Sequence, residues 1–129
     1  AIPMLVALVA GCIGLEYAQS IKMVNVERES RGTHPVLNHP TLQAKAQNWA
    51  ETLAASGRLR HSNLADGAGP GWRALGENLA MAGSVQEAHR LLMGSSSHRS
   101  TILSGRYTHI GVGVAYSGGR YYIVQVFGG

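Results

Sequence analysis

The stretch THIGVGVAYSGGRYYIVQVF, residues 108–127, decides the fold. In its first half β-branched residues, from Ile110 to Val114, alternate with glycine or alanine, which is the two-residue period of a strand. Gly118-Gly119 is a two-residue hairpin turn, and an apolar return strand follows. The face that carries the small residues must meet another element at close range.

Helical patterns precede this hairpin. A first helix has an apolar face formed by Leu15, Ala18, Ile21 and Val24. A second begins near Asn38-His39-Pro40 with Asn38 as its cap, carries the stripe Leu42, Ala46, Trp49 and Leu53, and ends at Gly57. The capping box Ser84-x-x-Glu87 starts a third helix, and a short helical turn covers residues 98–103. This order predicts an α+β domain with helices packed against an antiparallel sheet.

Composition limits the function classes. A chain of 129 residues with 45% hydrophobic content is one globular domain. Its net charge of +4 comes from scattered basic residues, without the basic stripe typical of nucleic-acid binders, so we expect no nucleic-acid partner. The single cysteine excludes an internal disulfide and a Cys/His zinc spacing.

The N-terminal segment points to a location. Residues 2–15 are apolar and uncharged, which suits a signal-peptide core or an anchor better than a bilayer span. Val9-Ala10-Gly11-Cys12 matches the pattern before a lipidated cysteine, although Cys12 could equally be a small apolar residue of a helix or strand. We therefore divide the chain into a signal-like or anchoring segment, 1–15, and a domain, 16–129. An extracytoplasmic protein, secreted or membrane-anchored through residues 2–15, is expected.

Gly76-Glu77-Asn78-Leu79-Ala80 carries the candidate chemistry. A carboxylate on an apolar, strand-like pentapeptide is costly unless it has a partner or a task. His61 and His98 flank Glu77 in polar contexts. If the three converge, they could bind a divalent metal such as zinc or activate water as a His/Glu base. They could equally form a buried polar knot without chemistry. Candidate nucleophiles are Ser62, Ser95 and Ser97, but no oxyanion loop is evident.

The ordered motifs resemble the CAP superfamily (cysteine-rich secretory proteins, antigen 5 and pathogenesis-related 1; the SCP domain), in its disulfide-free bacterial branch. They are Asn25-x-x-Arg28, Pro35-Val36-Leu37, His61-Ser62, Gly76-Glu77-Asn78-Leu79-Ala80, Ser97-His98-Arg99, His109-Ile110-Gly111-Val112-Gly113 and Tyr122-Ile123-Val124-Gln125-Val126-Phe127-Gly128. The resemblance implies an α-β-α sandwich whose cleft is lined by two histidines and two glutamates. His61, Glu77 and His98 match three of these, and Ser95 stands where the second glutamate would be.

The remaining polar residues have structural interpretations. His34 and His39, beside prolines, and His89, on the third helix, are expected at the surface, and His109 in the core. Asn25 and Arg28 share one side of the first helix and are expected to tie elements together. Asn78 should bond backbone. The hairpin tyrosines should form cross-strand pairs.

We expect a binding module rather than an enzyme. Its cleft, formed by His61, Glu77, Ser95 and His98, would take a lipid, a cell-wall component or a protein partner, with lipids suggested by the resemblance alone. No cofactor is required in this interpretation. The alternatives are a metal-assisted or His/Glu hydrolase acting on peptides or wall material, and an accessory subunit of a membrane-associated assembly held by its apolar N-terminus.

Overall fold

A computed structural model describes the main chain from residue 2 and the side chains of residues 14–129. The elements are α1 (Ile2–Glu29), β1 (Leu37–Asn38), α2 (Pro40–Ser56), β2 (Leu75–Ala82), α3 (Val85–Met93), α4 (Ser96–Leu103), β3 (His109–Ser117) and β4 (Arg120–Gly128). The predictions for the apolar segment and for lipidation of Cys12 concern side chains outside the described ones. Among the described residues, no helix combines the length and hydropathy needed to cross a membrane.

The four strands form one mixed sheet in the order β1-β3-β4-β2. β4 pairs antiparallel with β3 and with β2, as the hairpin pattern predicts. The expectation of a wholly antiparallel sheet is wrong at one edge, because β1 pairs parallel with β3. Since α2, β2, α3 and α4 lie between these two strands in the chain, the connection is a long crossover, which parallel pairing requires.

Helix α2 lies directly on the glycine face of β3. A Cβ at Gly111 or Gly113 would overlap the backbone of α2, which confirms the close approach expected from the alternation. Because β1 covers only the start of β3, the outer edge of β3 needs other partners. Gln43 and Gln47 of α2 supply them, since their side-chain oxygens accept from the backbone N–H groups of Val112 and Val114, each at 2.9 Å.

The opposite face of the sheet is covered by α1, α3 and α4. The buried side chains of this layer include Val24, Val36, Val85, Leu92, Ile102, Ile110 and Phe127. The domain is therefore an α-β-α sandwich of the α+β class, as expected. The predicted face of α1 is wrong at its start, because Leu15 and Ala18 are exposed whereas Ser20 is buried.

The helix ends follow local chemistry. The cap of α2 is His39 rather than Asn38, because Nδ1 of His39 accepts from the N–H of Thr41 at 3.2 Å. Gly57 ends α2 in the left-handed conformation, as predicted. The predicted start of α3 at Ser84 is confirmed, since the Ser84 hydroxyl accepts from the N–H of Glu87 at 3.1 Å, but the Glu87 carboxylate accepts from the N–H of Gly83 rather than from that of Ser84.

Arg28 and Asn25 tie α1 to the rest of the domain, as expected. The guanidinium of Arg28 is fully buried and donates to four carbonyl oxygens, those of His34, Ile102, Ser104 and Tyr107, at 2.8–3.1 Å. Burial lowers the pKa of Arg28 from its usual value. Asn25 exchanges two hydrogen bonds with the backbone of Val36, which sets the entry into β1.

Candidate functional site

Glu77 lies near the start of β2, the edge strand opposite β1. Its neighbours Leu75 and Leu79 pack in the α2 layer, so the two-residue period directs Glu77 toward that layer as well. The Glu77 side chain is only 1% exposed. A buried carboxylate needs partners, and the segment after α2 supplies them.

Three donors from two consecutive residues hold this carboxylate. Oε1 accepts from Nδ1 of His61 at 2.8 Å and from the N–H of Ser62 at 2.9 Å. Oε2 accepts from the Ser62 hydroxyl at 2.5 Å. Because an ionised carboxylate only accepts, Nδ1 of His61 carries the hydrogen, and the imidazole presents Nε2 outward. The His61 side chain is 65% exposed.

Lys45 completes the cluster, and sequence reasoning missed it. From α2 its ammonium donates to the Ser62 hydroxyl at 3.1 Å and to the carbonyl oxygens of Asn63 and Asp66 at 2.8 and 2.7 Å. Burial lowers the pKa of Lys45, while the negative charges of Glu77 and Asp66 oppose this shift. The available signal was its position on the buried side of α2, three residues after Leu42.

The other two predicted cleft residues form a separate pair. His98 and Ser95 belong to the α4 region, where Nδ1 of His98 and the Ser95 hydroxyl are 2.8 Å apart. Asn78 points to the opposite face of β2 from Glu77, and its amide donates to the His98 carbonyl at 3.1 Å and to Gln125 at 3.2 Å. Within residues 14–129 no hydrogen bond joins His98 to Glu77. The two pairs are thus linked through the backbone of β2.

This arrangement favours some chemistries over others. The Glu77 carboxylate has its oxygens engaged and is shielded from solvent, so it cannot approach a substrate without breaking the cluster. Among the described side chains, no group of three or more His, Cys, Asp or Glu is placed to hold a metal ion. Of the candidate residues His61, Glu77 and His98, only His61 and Glu77 are hydrogen-bonded to each other. Ser62 is engaged by Glu77 and Lys45, which does not leave it as a free nucleophile.

The remaining histidines differ from the sequence-based expectations in part. His34 is exposed, as expected, whereas His39 is half-buried with its ring against Trp72 and His109. His109 is also half-buried rather than a core residue. His89 was expected at the surface, but its side chain is 12% exposed and lies 3.6 Å from Glu27 of α1. The reason is that α1 covers this side of α3.

The hairpin tyrosines confirm their structural interpretation. Tyr116 and Tyr121 are directly opposite in register, and their ring centroids lie 4.8 Å apart. Tyr107 packs against Phe127 at 5.4 Å. Tyr122 is buried in the α2 layer.

Comparison with known proteins identifies the class. The chain belongs to the CAP family, the cysteine-rich secretory protein family, whose family model matches residues 21–127. A curated relative, the uncharacterized protein YkwD of Bacillus subtilis (strain 168), is 28% identical over 107 residues. That alignment covers 76% of this chain and 42% of the relative, so the chain spans less than half the length of that protein.

Solved structures show the same fold. An extracellular SCP-domain protein from Bacillus anthracis superposes with a TM-score of 0.78 at 19% identity, over 88% of this chain and 40% of that one. An outer surface protein from Borrelia burgdorferi gives a TM-score of 0.73 at 16% identity, over 84% of this chain and 87% of that one. A cysteine-rich secretory protein from Staphylococcus aureus gives 0.71 at 19%, over 89% and 39%.

Proposed function

We propose that this chain is an extracytoplasmic CAP-domain binding module whose ligand docks at His61 and His98, which contact neighbouring residues of the edge strand β2. The observation that carries this proposal is the burial of Glu77, whose side chain is 1% exposed while that of its partner His61 is 65% exposed. The carboxylate thus orients the imidazole from inside and leaves Nε2 available to a ligand. His98 of α4, half-buried and oriented by Ser95, adds a second polar group, and its carbonyl accepts from Asn78 of β2.

The proposed location rests on the neighbours. The Bacillus anthracis protein is described as extracellular and the Borrelia burgdorferi protein as an outer surface protein. The chain has a single cysteine and so makes no internal disulfide. The sandwich is instead held by two apolar layers and by Arg28, so a location outside the cytoplasm does not require a disulfide. The ligand classes that suit such a location are a lipid surface, a cell-wall component or a protein partner.

Binding is favoured over hydrolysis because two groups that a hydrolase would use, the Glu77 carboxylate and the Ser62 hydroxyl, are already engaged. Glu77 has its oxygens occupied, and the Ser62 hydroxyl lies between Glu77 and Lys45. A general base must reach the proton that it removes, and Glu77 is not placed to do so.

The test compares His61→Gln and His98→Gln with the exposed control His34→Gln. Each protein is mixed with phosphatidylcholine–phosphatidylglycerol vesicles and, separately, with purified peptidoglycan sacculi, and the bound fraction and any released soluble fragments are measured. We expect the wild type to bind one of these surfaces without releasing fragments, and each site variant to weaken binding about ten-fold. Equal binding by all four proteins would refute the proposal. Fragment release that His61→Gln abolishes would establish the hydrolase instead.

A further inference from the structure

A second candidate site is lined by Ser62 but by neither His61 nor His98. An open pocket of about 290 Å³ is formed between α2 and residues 62–67. Its walls include Lys45, Asn48, Trp49, Ser62, Asn63 and Asp66, but not His61 or His98. We propose that this pocket binds a neutral saccharide unit.

The apolar wall of the pocket is an indole with a fixed orientation. Trp49 is half-buried, and its Nε1 donates to the carbonyl of Arg60 at 2.9 Å. The Arg60 guanidinium lies 5.1 Å from the ring centroid and holds the ring further by a cation–π contact. A rigid aromatic wall with polar groups around it suits a ligand that is apolar on one side and polar at its rim. The C–H face and hydroxyl rim of a pyranose ring have this distribution.

The polar groups of the pocket are uncommitted. Within residues 14–129, the side-chain amides of Asn48 and Asn63 and the carboxylate of Asp66 take part in no hydrogen bond. Two carboxamides and a carboxylate together offer both donors and acceptors, which hydroxyl groups can use in either direction. A purely apolar ligand would bury these groups without partners, which is unfavourable.

The charges of the pocket disfavour anions. Lys45 is its cation, but the three N–H donors of the ammonium are directed at Ser62, Asn63 and Asp66. An anionic ligand would find no free ammonium donor and would meet the negative charge of the Asp66 carboxylate. The chemistry therefore favours a neutral, hydroxyl-rich ring. Because His61 and His98 lie outside the pocket, this inference does not depend on the function proposed above.

The test uses the two tryptophans as internal reporters. Trp49 lines the pocket and Trp72 does not, so the two indole signals of a ¹H–¹⁵N spectrum distinguish a ligand in the pocket from a general change of the domain. N,N′-diacetylchitobiose and cellobiose are titrated as neutral probes, with glucuronate as the anionic comparison. We expect a neutral probe to move the Trp49 indole and the Asn48 and Asn63 amide signals with a Kd on the order of 1 mM. The Trp72 signal should stay in place.

Variants then assign the site. Asn48→Ala and Asp66→Asn should weaken binding of the neutral probe about five-fold, since each removes or alters an uncommitted polar group. The control Asn38→Ala, at an exposed asparagine of β1 away from the pocket, should bind as the wild type does. The inference is overturned if neither neutral probe moves the Trp49 indole up to about 20 mM. It is equally overturned if glucuronate binds as well as the neutral probes, or if Asn38→Ala weakens binding as much as Asn48→Ala.

Discussion

The ammonium of Lys45 lies 3.1 Å from the hydroxyl oxygen of Ser62, which in turn donates to the buried carboxylate of Glu77. One serine thus connects a cation on α2 with an anion on β2. Because Lys45 and Glu77 are both buried, with 7% and 8% of the whole residue exposed, removal of either takes the compensating charge away from the other. The cluster is therefore a structural prerequisite for the orientation of His61.

We predict that Lys45→Met lowers the free energy of unfolding by about 3 kcal/mol, because it leaves Glu77 without its nearby cation and frees the carbonyls of Asn63 and Asp66. Lys22→Met, at the other, exposed lysine, should change it by no more than about 0.5 kcal/mol. Urea unfolding measures both. In a cycle with Glu77→Gln, the double variant should lose less than the sum of the single losses. Simple additivity would show that the two charges are not coupled.

The contact between α2 and β3 leads to the second prediction. A Cβ at Gly113 would overlap the carbonyl of Ala46, so Gly113→Ala must push the helix from the sheet. We expect a loss of about 3 kcal/mol of stability in urea unfolding. Gly105→Ala is the matched control, since its Cβ would meet no atom within 4 Å and it should stay within about 0.5 kcal/mol of the wild type. A small effect of Gly113→Ala would mean that α2 can shift without penalty.

The same contact shows what the sequence can predict. Glycine alternates with β-branched residues around Gly111 and Gly113. This alternation predicts both the strand and the close approach of a helix, because both follow locally from side-chain size. The parallel pairing of β1 has no such signal, since it involves two residues and a partner about seventy positions away. The same holds for Lys45, whose acceptors lie about twenty residues further along the chain. A lysine between two alanines does not indicate where its hydrogen-bond acceptors lie.

The sequence motifs predicted which residues belong to the candidate site, but not which of them contact each other. His61 pairs with Glu77, whereas His98 pairs with Ser95. The reason is the strand period, because consecutive residues Glu77 and Asn78 face opposite layers and α4 lies on the side of Asn78. Sequence order alone does not reveal which layer α4 joins.

Arg28 gives the third prediction. Four carbonyls from three segments accept from the guanidinium of Arg28. A lysine ammonium, with three N–H donors on a single nitrogen, cannot reproduce this geometry. Arg28→Lys should therefore destabilise the fold by about 3 kcal/mol, because buried acceptors lose their donors. The comparison is Arg31→Lys at an exposed i,i+4 pair with Glu27, where about 0.5 kcal/mol or less is expected. Equal losses in thermal or urea unfolding would contradict the assigned role of Arg28.

His89 gives the fourth prediction, a pH dependence of stability. Burial lowers the pKa of His89 from its usual 6.5, while Glu27 opposes the shift. The groups that face its side chain are Glu27 and Lys22 of α1, and its Nδ1 is buried without a hydrogen-bond partner. Since the unfolded chain takes up a proton at this histidine more readily than the native state, the stability present above pH 6.5 is lost as the pH falls through the lowered pKa.

His89→Gln should therefore reduce the loss of stability on acidification. The measurement is urea unfolding of wild type and variant at several pH values from about 7.5 to about 5, compared as the difference between the two slopes. His34→Gln, at an exposed histidine beside Pro35, is the matched substitution, and the slope of His89→Gln should be shallower than that of His34→Gln. An unchanged or steeper slope in His89→Gln would show that the charged form of this imidazole is not disfavoured in the folded protein, and that the pocket between α1 and α3 admits enough water to solvate it.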